Sequence, residues 1–290
     1  MAAAESENTV PDLNQSFVAG SVDTPAGRLP QVTSELVWPD RWGNIKARWG
    51  VGRMEYKIDP GLYALGTPDN NSLVFVSANY KMSFDLLRQA LVGRSGWILV
   101  LDTQGINVWC AAGKGTFGTE ELVRRIELSG LKKIVTHRKL ILPQLGAPGV
   151  AAHKVKQISG FSVQYGPIRA EDLPAYLDAG FKTTEQMRIK TFSLKERAVL
   201  IPIELVEAMK AYLLLAAAFF YYQRYWRTIR VLGQCREFLF VRCFGFAFSS
   251  NWRCYFQSFV IAVPSGPGIF HQRFFDRYYC RSDSALSAQH

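Results

Sequence analysis

Cysteine is nearly missing from this 290-residue chain: Cys110 stands alone in the first 234 residues, and Cys235, Cys243, Cys254 and Cys280 crowd into the last 56. The total is odd, no pair has C-x-x-C spacing, and no histidine lies at zinc-finger distance from the late four. Neither a disulfide framework nor a structural zinc site is therefore expected. The cysteine runs that hold iron–sulfur clusters are lacking too, so no such cluster is expected in this chain. MAAAESENTV has no apolar run of the secretory kind, which points to a reduced, cytoplasmic setting. Long hydrophobic runs are also scarce. The apolar stretch from Ala211 to Tyr222 is twelve residues, short of the roughly 20 needed to span a bilayer.

The net charge of +10 is unevenly spread: up to Lys210, 25 Lys and Arg face 21 acids, and beyond it stand 9 Arg, 3 acids and no Lys. A nucleic-acid-binding domain concentrates basic residues on its folded part, with exposed aromatics between them. Nothing before Lys210 reads that way, so no nucleic-acid partner is expected. The tail from Phe219 holds 12 of the 19 Phe without a helical or strand period. Residues 211–290 are accordingly read as an incomplete or frame-shifted membrane region.

Residues 1–35 are polar and small and read as a disordered leader. After Trp42 the pattern changes. SLVFVSANY (Ser72 to Tyr80) is a β-branched apolar run suited to a buried strand, and SFDLLRQALVG supplies an N-cap at Ser83, helical spacing and a stop at Gly93. GWILVLDTQG repeats the strand. GTEELVRRIELSG repeats the helix, with Thr119 as N-cap and Gly130 as stop. KKIVTH reads as a third strand, a helix is expected from about Val150 to Ile158, FSVQYG is the fourth strand, and AEDLPAYLDAG is a short helix. The cycle predicts a doubly wound, Rossmann-like (flavodoxin-like) α/β domain with a parallel sheet over residues 36–182, followed by an amphipathic linker helix over 183–210. Ligands of such sheets bind at the carboxyl ends of the strands.

GKGTFG (Gly113 to Gly118) spells a dinucleotide signature in the wrong context. Its first glycine falls ten residues after the strand WILVLDT instead of in the turn that follows it, and the next strand, as read, ends in Thr136-His137 with no acid for a ribose. A phosphate-binding P-loop fails as well, because Gly115 follows Lys114 where Ser or Thr is needed. What remains is a short helical turn over Asn107 to Ala112. Asn107 can cap it, and Cys110 falls in the first turn, where unpaired N–H groups favour a thiolate. The small side chains of Ala111 and Ala112 leave room for a flat partner. On residues alone, Cys110 is equally a small hydrophobe packing the turn.

NVWCAAGKGTFGT resembles the cap-helix motif of the corrinoid protein of the microbial mercury-methylation pair, a membrane-anchored methyltransferase. LPQLGAPGVAAHKV and SGFSVQYGPIRAEDLPAYL are similar to the corrinoid domains of the corrinoid iron–sulfur protein and its acetyl-CoA decarbonylase/synthase relatives; the likeness runs over about residues 45–210. The resemblance implies a cobamide bound with its own base displaced (base-off) and Cys110 as the lower axial ligand to cobalt. Asn107, Trp109, Ala111, Ala112, Gly113 and Lys114 would shape the cap under the corrin. Contacts from Thr103, Thr116, Gln144, Gly146 and Pro148 are expected from topology.

The implied activity is transfer of a methyl group from cobalt to thiolate-held Hg(II), giving methylmercury. A thiolate donates strongly to a metal, which favours loss of the methyl to an electrophile. A folate-type methyl donor or its methyltransferase, and a small ferredoxin with [4Fe-4S] clusters, would be partners. The corrinoid domain would face the cytoplasm at the inner membrane, with anchoring put in doubt by the tail. Two alternatives remain: a corrinoid methyl carrier of acetyl-CoA (Wood–Ljungdahl type) metabolism, and a non-catalytic small-molecule-binding domain. His137 and His153 are better explained by surface or packing roles than by chemistry, while Asp102, at a strand end, is open to acting in the site or to capping the next turn.

Overall fold

The computed structural model describes residues 10–191, 194–199 and 201–228, so the four late cysteines and most of the expected membrane region lie outside the described residues. The chain divides into two units, one running to Ile203 and one beginning at Glu204.

The first unit is built in the order β1 (Val18–Thr24), β2 (Gly27–Val32), α1 (Trp38–Arg48), β3 (Gly61–Leu65), β4 (Val74–Ala78), α2 (Lys81–Ala90) and β5 (Gly96–Leu101). It continues with α3 (Val108–Lys114), α4 (Thr119–Leu128), α5 (Leu131–Ile134), β6 (Lys139–Leu142), α6 (Ala152–Ser159), β7 (Ser162–Tyr165), α7 (Leu173–Asp178) and α8 (Leu194–Ala198). The strands form one sheet in the order β1-β2-β3-β5-β4-β6-β7. Pairing is parallel through β5-β4-β6-β7 and antiparallel between β3 and β5 and between β1 and β2. The sheet is therefore mixed, with a four-stranded parallel part.

Every residue of β3, β4 and β5 is buried, as expected where apolar runs are covered on both faces. Strand alternation sends Val74, Val76 and Ala78 to one face, where α3, α4, α5, α6 and the loop between α3 and α4 cover them with Ala111, Phe117, Leu122, Ile126, Leu131 and Val155. It sends Phe75, Ile98 and Val100 to the other, against Phe84 of α2 and Leu173 and Tyr176 of α7. Burying each such side chain contributes about 1.5–3 kcal/mol.

Helix α1 is held to α2 by charge. Asp40 and Asp85 are buried with Lys81 and Arg88, whose cationic groups reach both carboxylates at 2.5–2.9 Å. The Arg88 guanidinium also donates to the carbonyls of Thr33 and Glu35. Burial opposes ionisation of Asp40, but Lys81 and Arg88 more than offset it and hold its carboxyl below the ordinary value of 3.8. Burial, with the nearby Asp85 and Asp40 carboxylates, pushes the Tyr56 phenol up, which keeps it protonated to donate to the Asp40 carbonyl at 3.2 Å.

Four expectations are corrected. Residues 18–32, expected as part of a leader, form the β1–β2 hairpin, which buries little beyond Leu29, Val32 and Pro30 and so carries a weak apolar signal. KKIVTH is not a strand. Gly130, in the left-handed region at φ 61°, restarts the chain as α5, and β6 takes Leu140, Ile141 and Leu142, whose alternation serves both faces of the sheet. Helix α2 starts at Lys81, so Ser83 lies inside it. Gly118 caps α4, while Thr119 Oγ1 accepts from the Ala151 N–H at 2.8 Å and ties α4 to the start of α6.

In the second unit, α9 (Ile201–Thr228, including the last residues of the first unit) runs unbroken through the boundary expected at 210. Leu205, Met209, Leu213, Leu214 and Phe220 are exposed along it. No helix among the described residues is long and apolar enough to cross a membrane.

Candidate functional site

The parallel strands change winding direction at β4: the chain moves through α2 to β5 on one side, then through α3 to α5 to β6 on the other. At such a switch point the loops diverge beyond the carboxyl ends of the strands and leave a crevice. A cleft of about 280 Å³ opens there, between Ser77 at the end of β4, Leu86 and Leu87 of α2, Pro143 after β6 and Arg169 after β7. Asn107, Val108 and Trp109 form its wall on the α3 side.

The turn that launches α3 is fixed by a residue the sequence reading passed over. The buried Asn79 side chain, just past β4, accepts from Thr103 N at 3.1 Å and Gly105 N at 2.9 Å, and its amide donates to Asp102 Oδ1 at 3.1 Å. Thr103 Oγ1 lies 2.8 Å from Asn79 Oδ1 and 2.7 Å from the Ile106 carbonyl, with one proton to share between them. Gln104 and Gly105 both adopt positive φ, 57° and 75°, which reverses the chain in two residues. An Asn directly after a buried strand was the available signal, because short polar side chains there bind the neighbouring turn.

Asn107 caps α3 as expected: its side-chain oxygen accepts from the Cys110 N–H at 2.9 Å. Cys110 is half-buried and in no disulfide. Gly115, at φ 85°, ends the helix, and Gly118 opens the next, so the dinucleotide-like letters are the exit of one helix and the cap of another.

Close approach holds α3 down. A Cβ on Gly149 would lie 2.1 Å from the Phe117 carbonyl oxygen and 3.1 Å from Ala112 Cα; one on Gly146 would lie 2.5 Å from the Phe117 ring. The loop after β6, with its 3-10 turn Gln144–Gly146, is thereby pressed onto the end of α3.

Of the expected site residues, Asn107 and Trp109 line the cleft, and Cys110 follows them in α3. Gly113 and Lys114 are exposed at the far end of the helix, Gln144 is half-buried, and Pro148 is exposed. Thr116 is half-buried, with Oγ1 3.4 Å from the Ala111 carbonyl. Thr103, Ala111, Ala112 and Gly146 are buried, so the alanines open no space for a flat partner on the solvent side: both pack into the core under α3. Asp102 caps the turn, accepting from Gln104 N at 3.0 Å. His137 binds the Ser72 carbonyl at 2.8 Å, at the amino ends of the strands, and His153 is exposed on α6. Ser77, Ser83, Leu86 and Arg169 were missed. The switch-point rule would have found them had β6 been placed correctly.

Residues 52–177 match the family model of the CO dehydrogenase/acetyl-CoA synthase delta subunit. Curated relatives include the acetyl-CoA decarbonylase/synthase complex subunit gamma of Methanopyrus kandleri, 30% identical over 128 residues that cover 43% of this chain and 27% of the relative. The complex's subunit gamma 2 of Methanosarcina thermophila is 33% identical over 161 residues, covering 53% of this chain and 31% of the relative. The chain thus spans less than a third of the length of these relatives. The part matched by the family model begins just after α1 and includes the cleft and α3.

Proposed function

We propose that this chain binds a corrinoid at the carboxyl ends of its parallel strands, in a Rossmann-like domain, that Cys110 would be a ligand to its cobalt, and that the chain carries a methyl group within a methyltransferase system. The observation that carries the reading is the seat of α3. An Asn107-capped helix with a half-buried thiol in its first turn stands at the switch point, in the part of the chain similar to acetyl-CoA decarbonylase/synthase subunits.

The residues present fit such a group. A thiolate is a soft donor suited to a transition metal. The cleft opens at the first turn of α3, beside Asn107, Val108 and Trp109, while Gly146 and Gly149 hold the loop after β6 against the end of the helix. When bound, the corrinoid supplies a metal centre that accepts and releases a methyl group. Cys110 would hold that metal and lend it electron density; Asn107 fixes the Cys110 backbone; Asn79 and Thr103 hold the turn from below; and the apolar wall of Leu86, Leu87 and Val108 would limit water. Low-potential reduction would come from a ferredoxin carrying [4Fe-4S] clusters and the methyl group from a folate-type donor.

The finer reading is delivery of the methyl to thiolate-held Hg(II), supported by the cap motif with its cysteine. The second reading, delivery within acetyl-CoA metabolism, is the one the comparisons favour, because the relatives are named as subunits of the acetyl-CoA decarbonylase/synthase complex. Anaerobic titration of the full chain with a cobamide, followed by visible and electron paramagnetic resonance spectra, tests the shared part. A sulfur-ligand signature lost in Cys110→Ala, with circular dichroism unchanged, is expected. No cobamide binding would leave the non-catalytic alternative. Adding reduced ferredoxin, a methyl donor and Hg(II) tests the acceptor: no methylmercury from the unaltered protein defeats the mercury reading, and methylmercury that forms as fast with Cys110→Ala as with the unaltered protein defeats the role given to Cys110.

A further inference from the structure

Helix α1 turns its bulk away from the protein. At 100° per residue, Trp38, Trp42, Ile45 and Trp49 fall within about 60° of one another around the helix. Their exposures are 70%, 50%, 41% and 44%. The buried face opposite carries Asp40, Gly43 and Ala47, and it sits so close that a Cβ on Gly43 would lie 2.6 Å from the Tyr56 hydroxyl. Three of the chain's seven tryptophans are spent on this outward stripe. Trp38 and Trp42 stack with ring planes 16° apart, forming a flat apolar ledge. An ordinary surface helix would be polar there.

Charge brackets the stripe. Arg41 and Arg48 run along one margin and Lys46 along the other, all exposed. The helix's one acid, Asp40, is buried and neutralised by Lys81 and Arg88, so α1 presents three positive charges to solvent and no negative one. Tryptophan rings settle at the boundary between headgroups and acyl chains, and Lys and Arg beside them reach lipid phosphates. A protein socket would need a concave partner shaped to three indoles; a bilayer accepts a straight convex stripe with cationic margins as it stands. The helix also lies outside residues 52–177, the part matched by the family model.

We infer that α1 is a membrane-surface docking helix, seating the Trp38, Trp42, Ile45 and Trp49 stripe in the headgroup boundary of a bilayer that contains anionic lipid. The inference stands independently of corrinoid binding.

The test uses the full chain with vesicles of phosphatidylcholine brominated in its acyl chains, with or without phosphatidylglycerol. Because the apolar α9 can itself favour lipid, the readout is the tryptophan fluorescence quenched in the unaltered protein minus that in the Trp38→Ser/Trp42→Ser/Trp49→Ser variant. A clear difference with anionic vesicles is expected. The Arg41→Gln/Lys46→Gln/Arg48→Gln variant should bind anionic vesicles at least about tenfold more weakly at low salt and neutral vesicles unchanged. Equal quenching with and without the three tryptophans would overturn the inference. So would fluorescence shifts that depend on protein concentration and not on lipid, which would mark a protein interface. Melting followed by circular dichroism checks that both variants fold; the charge variant decides the matter if the tryptophan variant does not.

Discussion

Helices α1 and α3 do the same structural job by different physics. Each lays small residues against the protein, Gly43 and Ala47 in one and Ala111 and Ala112 in the other, and each turns larger side chains outward. What fastens them differs: α1 is clamped by the buried Asp40, Lys81, Asp85 and Arg88 set, α3 by close backbone packing against Gly146 and Gly149 and by the Asn79-held turn. A charged clamp is strong only while all its members are present and ionised. A steric clamp is indifferent to pH but intolerant of a single added methyl. The molecule thus places its cleft-side helix on the fastening that does not titrate.

Breaking the charged clamp should cost most. Arg88→Ala leaves Asp40 and Asp85 short of a partner and two backbone carbonyls without their donor, and urea unfolding should show a loss of about 3–5 kcal/mol. A loss under 1 kcal/mol would mean that α1 is held by packing after all. Gly149→Ala tests the steric clamp. The new methyl must displace the Phe117 carbonyl or the end of α3, at roughly 1–3 kcal/mol, with cobamide affinity falling more than stability alone explains. Asn107→Ala removes only the cap and should cost about 1 kcal/mol, with faster hydrogen exchange at the Cys110 amide as the local sign.

The smallest effect is one of slope. Asp40 is held below its ordinary value of 3.8, so its contribution to stability is full above that value and is lost as pH falls through its lower folded-state value. Stability measured below about pH 4 should fall less steeply in Asp40→Asn than in the unaltered protein. Identical slopes would place the acid sensitivity elsewhere.

The parallel centre of the fold was legible because VFVSA and WILVL are buried on both faces and therefore read as unbroken apolar runs. The hairpin was not, because β1 carries Gly20, Ser21, Asp23 and Thr24 and is only half-covered, with Val18 and Val22 its sole packing contacts to the core clusters. KKIVTHRKLIL offers two apolar groups, Ile134-Val135 and Leu140 to Leu142, and local pattern cannot decide which one enters the sheet; the left-handed Gly130 decides it in favour of the second. In the site, the Asn107 cap could be read directly, since capping is a local rule. That Ala111 and Ala112 face inward could not, because it depends on which side of α3 meets the sheet. Ser77 and Arg169 line the same cleft from positions far apart in sequence, and only the strand order brings them there.

The hairpin also bears on how the protein behaves in bulk. Outward of β5, β3 is a wholly buried strand of Leu62, Tyr63, Ala64 and Leu65, and β2 pairs with it through Gln31 and Val32. Trimming the first 35 residues as a dispensable tail would strip that cover and present an apolar edge to other molecules, the usual start of strand-to-strand aggregation. The polar, loosely patterned β1 is thus a solubility device, ending the sheet with a strand that little else would want to pair with.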